Sequence, residues 1–144
     1  MENFNVAIVG GTGNLGGALA LRLGAPGVKI IIGSRDAEKA KKAVETLKPN
    51  LRAGEIVGMT NQEAVIGADF VVIAVPYEGH AQMVSDLKGQ LAGKVVIDTV
   101  VPLNKVRPFV PAAGSALQEA QQILGDEAPV IGALHNISAV DLGD

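Results

Sequence analysis

The sequence predicts an α/β domain built on a doubly wound parallel sheet with helices on both faces, a three-layer αβα arrangement. Three observations carry that prediction. Short β-branched runs alternate with longer segments of helical periodicity, the pattern that parallel strands joined by helical crossovers produce. The apolar runs are continuous, as strands covered on both faces require. The 18 glycines among 144 residues gather at the ends of those runs, so backbone geometry is expected to carry much of the site.

The first strand is Asn5 to Val9, and Leu15, Ala18, Leu19, Arg22 and Leu23 follow it at helical spacing until Gly24-Ala25-Pro26-Gly27 stops the helix. Lys29 to Gly33 is the second strand. Ala37 to Leu47 then places Ala40, Ala43, Val44 and Leu47 on one helical face and lysines on the other, with capping candidates in Ser34 to Asp36. Ile56 to Met59 is a weaker third strand, followed by a short helix over Asn61 to Ile66. The fourth strand, Phe70 to Val75, is the strongest and is cut off by Pro76. A helix from about Glu78 to Leu87, a fifth strand from Lys94 to Asp98, a helix from Ser115 to Leu124 and a sixth strand from Val130 to Leu134 complete the set. Between the fifth strand and its helix, Pro102, Pro108 and Pro111 impose irregular structure. Six strands in this order match two mononucleotide-binding halves with sheet order 3-2-1-4-5-6, the Rossmann arrangement.

Composition narrows the function classes. The length fits one domain, and the chain is 48% hydrophobic and 19% charged, which excludes a disordered chain. A net charge of −3 argues against a nucleic-acid or membrane-surface partner bound through a basic face. The absence of cysteine excludes thiolate metal sites and a cysteine nucleophile, and fits a cytoplasmic setting. No basic segment precedes an apolar stretch at the start, and no apolar run approaches the roughly 20 residues that span a bilayer. Two distant histidines without grouped carboxylates give no metal-ligand spacing.

Directly after the first strand stands Gly10-Gly11-Thr12-Gly13-Asn14-Leu15-Gly16, in which Gly11, Gly13 and Gly16 fill G-x-G-x-x-G. Gly11 permits the tight turn, Gly13 lets the backbone approach a pyrophosphate, and Gly16 lets helix and strand pack closely. The N–H groups and dipole at the start of the following helix then hold negative charge. Such a turn between a strand and a helix near the N-terminus is the context a dinucleotide needs.

The end of the second strand selects between nicotinamide cofactors. An NAD-binding fold places an acid there for the ribose 2′-hydroxyl, but this chain reads Gly33-Ser34-Arg35-Asp36, with Ser34 in the acid's place. Ser34, Arg35 and Lys39 suit a 2′-phosphate, which favours NADP(H). The rival reading makes Asp36 the ribose acid, although it serves equally as a helix cap.

Ligands of this fold lie along the carboxyl ends of the strands, which places Val75-Pro76-Tyr77, Val100 to Leu103 and Leu134 to Ala139 at the cleft. Tyr77 is read either as lying against the nicotinamide end of the cofactor or as a surface residue capping its strand. His80, in the first turn of a helix, is expected on the solvated surface. His135 stands evenly between a site and a structural role; Asp98, at the end of the fifth strand, could serve catalysis, but anchoring its loop is the more common role for such a residue. With no nucleophile elbow and no evident acid–base pair, direct hydride transfer is the chemistry most compatible with these residues.

Together the motifs resemble those of the coenzyme F420-dependent NADP oxidoreductases. The resemblance rests on Gly10 to Gly16, on Gly33-Ser34-Arg35 with Glu38-Lys39-Ala40, on Val75-Pro76 and on Ala133-Leu134-His135, and it covers nearly the whole chain. It implies that Gly11, Thr12, Gly13, Asn14 and Leu15 cradle the NADP pyrophosphate while Ser34, Arg35 and Lys39 hold the 2′-phosphate. It also implies that Val75, Pro76, Tyr77, Leu103, His135, Ile137 and Ala139 line the cleft where a deazaflavin, coenzyme F420, meets the nicotinamide. Members of the family continue into a small helical C-terminal domain that closes the cleft and supports dimerisation. The expectation is therefore that residues 1–144 form the NADP-binding domain alone, a domain that binds NADP(H) yet turns over slowly or not at all with coenzyme F420. The alternatives are a nucleotide-binding module that depends on another domain or chain, and a reductase of related fold acting on a small metabolite.

Overall fold

The computed structural model describes residues 2–144. The chain runs β1 (Phe4–Val9), α1 (Asn14–Leu23), β2 (Val28–Ser34), α2 (Ala37–Leu47), β3 (Glu55–Thr60), α3 (Asn61–Ile66), β4 (Phe70–Ile73), α4 (Tyr77–Leu91), β5 (Val95–Asp98), α5 (Ala116–Leu124), β6 (Val130–Gly132) and α6 (Ala139–Gly143). The strands form one sheet in the order β3-β2-β1-β4-β5-β6, with every neighbouring pair parallel. This is the predicted architecture.

The strand sequences explain the two layers around the sheet. Successive side chains point to opposite faces, so Val6 and Ile8 of β1, Ile30 and Ile32 of β2 and Val72 of β4 face one side. There they pack against Leu19 and Ala20 of α1 and Ala40 of α2, with Leu142 of α6 at the margin. Ala7, Val9, Ile31, Val71, Ile73 and Val96 face the other side, against Ala64 and Val65 of α3, Val84, Leu87 and Leu91 of α4 and Ala120 and Leu124 of α5. The continuous runs of the sequence thus supply both faces, which is why they do not alternate with polar residues. Among the described residues, no helix is long and apolar enough to cross a membrane.

Three elements differ most from the sequence reading in their bounds, and one helix is additional. β4 ends at Ile73, so residues 74–76 leave the sheet as a rim above the strand ends. α4 begins at Tyr77 with Pro76 as its N-cap and continues to Leu91, because Leu87 and Leu91 extend the buried stripe by another turn. β6 ends at Gly132, shortly before Leu134, which is the one non-glycine residue with positive φ (63°) among the described residues. α6 was not expected at all. Ser138 caps it by accepting from the Val140 N–H at 3.2 Å, and Arg22 of α1 donates to the Leu142 carbonyl. The proline-containing segment is irregular as predicted, apart from one bridge between Leu103 and Pro108.

Candidate functional site

The glycine turn divides into two kinds of glycine. Gly11 lies beneath the turn, donating to the carbonyls of Ile8 (3.1 Å) and Gly33 (2.9 Å). A Cβ on Gly11 would stand 2.8 Å from the Ile8 oxygen, and one on Gly16 would stand 2.6 Å from the Gly11 Cα. Both positions are therefore closed to a side chain by the protein itself. Gly13 is different: it is exposed, and a Cβ there would meet only the Gly10 oxygen, at an ordinary 3.6 Å. The fold leaves this position open, so the fold alone gives no reason for glycine there. An external group approaching the backbone would supply one, which is the fit expected of a pyrophosphate. Gly13 is also the N-cap of α1 and supplies no side-chain hydrogen bond, so the first-turn N–H groups of that helix remain directed at the cleft.

Thr12 and Gly13 line a cleft of about 520 Å³ together with Ser34, Arg35, Lys39, Val75 and Pro76. The three residues proposed for a 2′-phosphate are thus brought to one place. Ser34 is buried at the end of β2, and its Oγ accepts from the Asp36 N–H at 3.2 Å, leaving its own O–H to donate. Arg35 and Lys39 are exposed, and neither is in an ion pair among the described residues. Two unpaired cations, a hydroxyl and a helix N-terminus thus face one cleft, which Asp36 and Glu78 also line. Asp36 acts as the N-cap of α2, accepting from the Glu38 N–H at 2.9 Å.

Past Gly13 the cleft continues into a second chamber of about 580 Å³ lined by Asn14, Leu15, Val75, Pro76, Tyr77, Leu103, His135 and Ile137. Ala139 does not join them. As the first residue of α6 it lines a separate, largely apolar groove against α1 and α2, which also touches Gly11. Leu134, held at positive φ, turns the chain after β6 back towards this chamber.

His80 corrects the sequence reading most. It was expected on the surface, yet it is fully buried. The reason is register: residues 80, 84, 87 and 91 share one face of α4, and Val84, Leu87 and Leu91 on that face are core residues. Its Nε2 stands 2.6 Å from Asp98 Oδ2 and its Nδ1 3.3 Å from Glu119 Oε1. Both ring nitrogens therefore face carboxylates, a setting that favours the protonated ring. Burial lowers the pKa of His80, but the hydrogen bond and charge of Asp98, joined by those of Glu119, outweigh burial and hold it above the usual histidine value. The chain thus contains a buried His–carboxylate cluster although no acid–base pair was evident in the sequence.

Asp98 anchors the loop after β5, its Oδ1 accepting from the Val100 N–H at 2.9 Å. Tyr77 is half-buried. Its hydroxyl donates to Glu119 Oε2 at 3.1 Å, and its ring meets Phe109 edge to face, with centroids 5.3 Å apart. Burial, then the hydrogen bond and charge of Glu119, push the Tyr77 phenol above its usual pKa. Asn61 was missed too. It is buried at the start of α3, and its Oδ1 accepts from the Gly10 N–H at 3.2 Å, fixing the glycine turn from the helix that follows β3.

These residues can be compared with known proteins. The sequence model of the family described as "NADP oxidoreductase coenzyme F420-dependent" matches residues 5–102, a span that holds the glycine turn, Ser34 to Lys39 and Val75 to Tyr77. The chain belongs to this family. An F420-dependent NADP reductase of Methanocaldococcus jannaschii is 40% identical over 96% of the chain, which covers 66% of that protein. One from Methanothermobacter thermautotrophicus is 38% identical over 93% of the chain and 62% of its own length. The chain therefore spans somewhat less than two thirds of these relatives. Among solved structures, prephenate dehydrogenase from A. aeolicus superposes with a TM-score of 0.62 at 24% identity, covering 92% of the chain and 41% of that enzyme. That likeness supports the fold of the F420-dependent oxidoreductase domain and no more.

Proposed function

We propose that this F420-dependent oxidoreductase domain binds NADP(H) along the carboxyl ends of its strands and exchanges hydride with coenzyme F420. The observation that carries the proposal is the convergence of Ser34, Arg35 and Lys39 on the cleft that also exposes Gly13 and the uncapped start of α1. Thr12, Gly13, Asn14 and Leu15 would hold the pyrophosphate through backbone N–H groups, and Ser34, Arg35 and Lys39 would hold the 2′-phosphate. Val75, Pro76 and Tyr77 would form one wall of the nicotinamide end, with Leu103, His135 and Ile137 opposite. Bound together, the two cofactors supply the chemistry, a hydride passing between the nicotinamide and deazaflavin rings. The chain's part is orientation and exclusion of water, a contribution worth up to roughly 7–11 kcal/mol in well-aligned reactions. The names of the methanogen relatives support F420 as the second substrate. A cytoplasmic setting and pairing of two copies belong to the same reading. The first is supported by a chain without cysteine, the second by exposed Val106 and Val110 beside the cleft loop.

The test is spectrophotometric. NADPH and oxidised F420 are mixed with the protein, and the reduced-nicotinamide and oxidised-deazaflavin bands should fall together. Binding of NADPH without loss of either band would instead mark a nucleotide-holding module. Exchange with a small keto or imino acid in place of F420 would mark a metabolite reductase.

A further inference from the structure

The buried cluster has a geometry that the nucleotide site does not use. Hydrogen bonds run unbroken from the Tyr77 hydroxyl to Glu119, from Glu119 to His80, from His80 to Asp98, and from Asp98 to the Val100 N–H. Its two ends are on different elements. Tyr77 opens α4, and Val100 begins the loop after β5, yet both line the chamber assigned to the second ring. His80 is the middle of the chain and is fully buried, as is Asp98.

We propose that His80 is a positioning residue that sets the distance and orientation between the Tyr77 wall and the Val100 wall of the second-ring chamber by bridging Glu119 to Asp98. Its kinetic consequence rests on the function proposed above; its structural content does not. A ring nitrogen at each end makes His80 the natural bridge, since an aliphatic residue fills the space but donates to neither carboxylate. The arrangement also turns the phenolic hydroxyl towards Glu119, at 3.1 Å, and leaves the Tyr77 ring for the cleft wall. A satisfied buried network of this kind rigidifies what it joins.

Tyr77 is the single tyrosine of a chain without tryptophan, so intrinsic emission and its quenching by acrylamide report this side chain alone. Three variants suffice: His80→Leu, Glu119→Leu and Glu119→Gln. In folded His80→Leu and Glu119→Leu, acrylamide quenching of Tyr77 should rise. Their kcat for hydride exchange should fall by roughly tenfold or more while KM for NADPH holds, since orientation and not nucleotide contact is lost. Glu119→Gln keeps a side chain able to bond both neighbours and should restore quenching and kcat. Should His80→Leu fail to fold, Glu119→Leu decides alone, because Glu119 is partly exposed and leaves the His80–Asp98 pair intact. Unchanged quenching in folded Glu119→Leu overturns the proposal, and so does increased quenching with an unchanged kcat. If the wild-type protein binds no NADPH in calorimetry, the nucleotide reading fails, while quenching still decides whether the bridge restrains Tyr77.

Discussion

A Cβ at Gly13 would lie 3.6 Å from the Gly10 oxygen, an ordinary contact, whereas one at Gly16 would run into the Gly11 Cα at 2.6 Å. The two glycines of one motif therefore respond differently to substitution. Gly13→Val should fold with a near-normal melting temperature and lose NADPH binding, because the new side chain occupies the space above the turn. Gly16→Val should fail to fold. Circular-dichroism melting and calorimetric titration separate the outcomes, and a Gly13→Val protein that binds normally would make the turn merely structural. Arg35→Ala removes one charge-assisted contact, typically worth about 1.5–3 kcal/mol. NADPH affinity should then drop roughly tenfold or more, with NADH affinity nearly unchanged. These positions were readable because the glycine pattern and the Ser34-Arg35 pair express backbone geometry and charge, which sequence states directly. The place of His80 in the first helical turn suggests solvent, whereas its register with Val84, Leu87 and Leu91 puts it on the buried face. That signal was present. The partner Glu119 carried none, since nothing in an amphipathic helix announces that one acid reaches inward.

Between elements, caps and ties carry the argument. Asp36 caps α2 through the Glu38 N–H, and its loss to alanine should cost about 1 kcal/mol of stability. Asp36→Asn keeps the cap, so denaturant unfolding should be close to wild type and both nicotinamide cofactors should bind as before. A selective loss of NADH affinity in Asp36→Asn would instead make Asp36 a ribose ligand. The cluster joining α4, β5 and α5 gives a pH dependence with a definite sign. The folded state holds the His80 proton more tightly than the unfolded chain does, the pKa being raised from 6.5. Its contribution to stability is therefore complete below about pH 6.5 and is lost as pH rises through the folded-state value. Replacing His80 by leucine strands Asp98 without its partner, at a cost of about 3–5 kcal/mol near neutral pH. In unfolding curves, the stability gap between the two proteins should narrow as pH rises through the folded-state value, and a gap independent of pH would contradict this. Element types were legible from periodicity, but ends were less so. β4 and β6 run shorter than their apolar sequences because Val75 and Leu134 serve the cleft rim instead of the sheet. α6 escaped notice because five residues beginning at a serine cap show no period; its place is set by Leu142 reaching the core of the distant β1–β2 face.

Across the whole molecule, one topological fact places the cleft. The order β3-β2-β1-β4-β5-β6 reverses direction between β1 and β4, and ligands of such sheets lie at that reversal. Gly13 after β1 and Val75 and Pro76 after β4 flank it on either side, and both chambers of the cleft meet there. The sequence stated this order through its alternation of strands and helices, so the cleft could be located before any side chain was placed. Which walls the cleft holds together, by contrast, depended on contacts such as Tyr77 to Glu119, 42 positions apart. The central claim is that this cleft is an NADP(H) site selected by the end of β2. Calorimetric titration of the 144-residue chain with NADPH and with NADH tests it most directly. Convergence of Ser34, Arg35 and Lys39 on one phosphate predicts a preference for NADPH of more than roughly tenfold; equal affinities, or tighter binding of NADH, would contradict it.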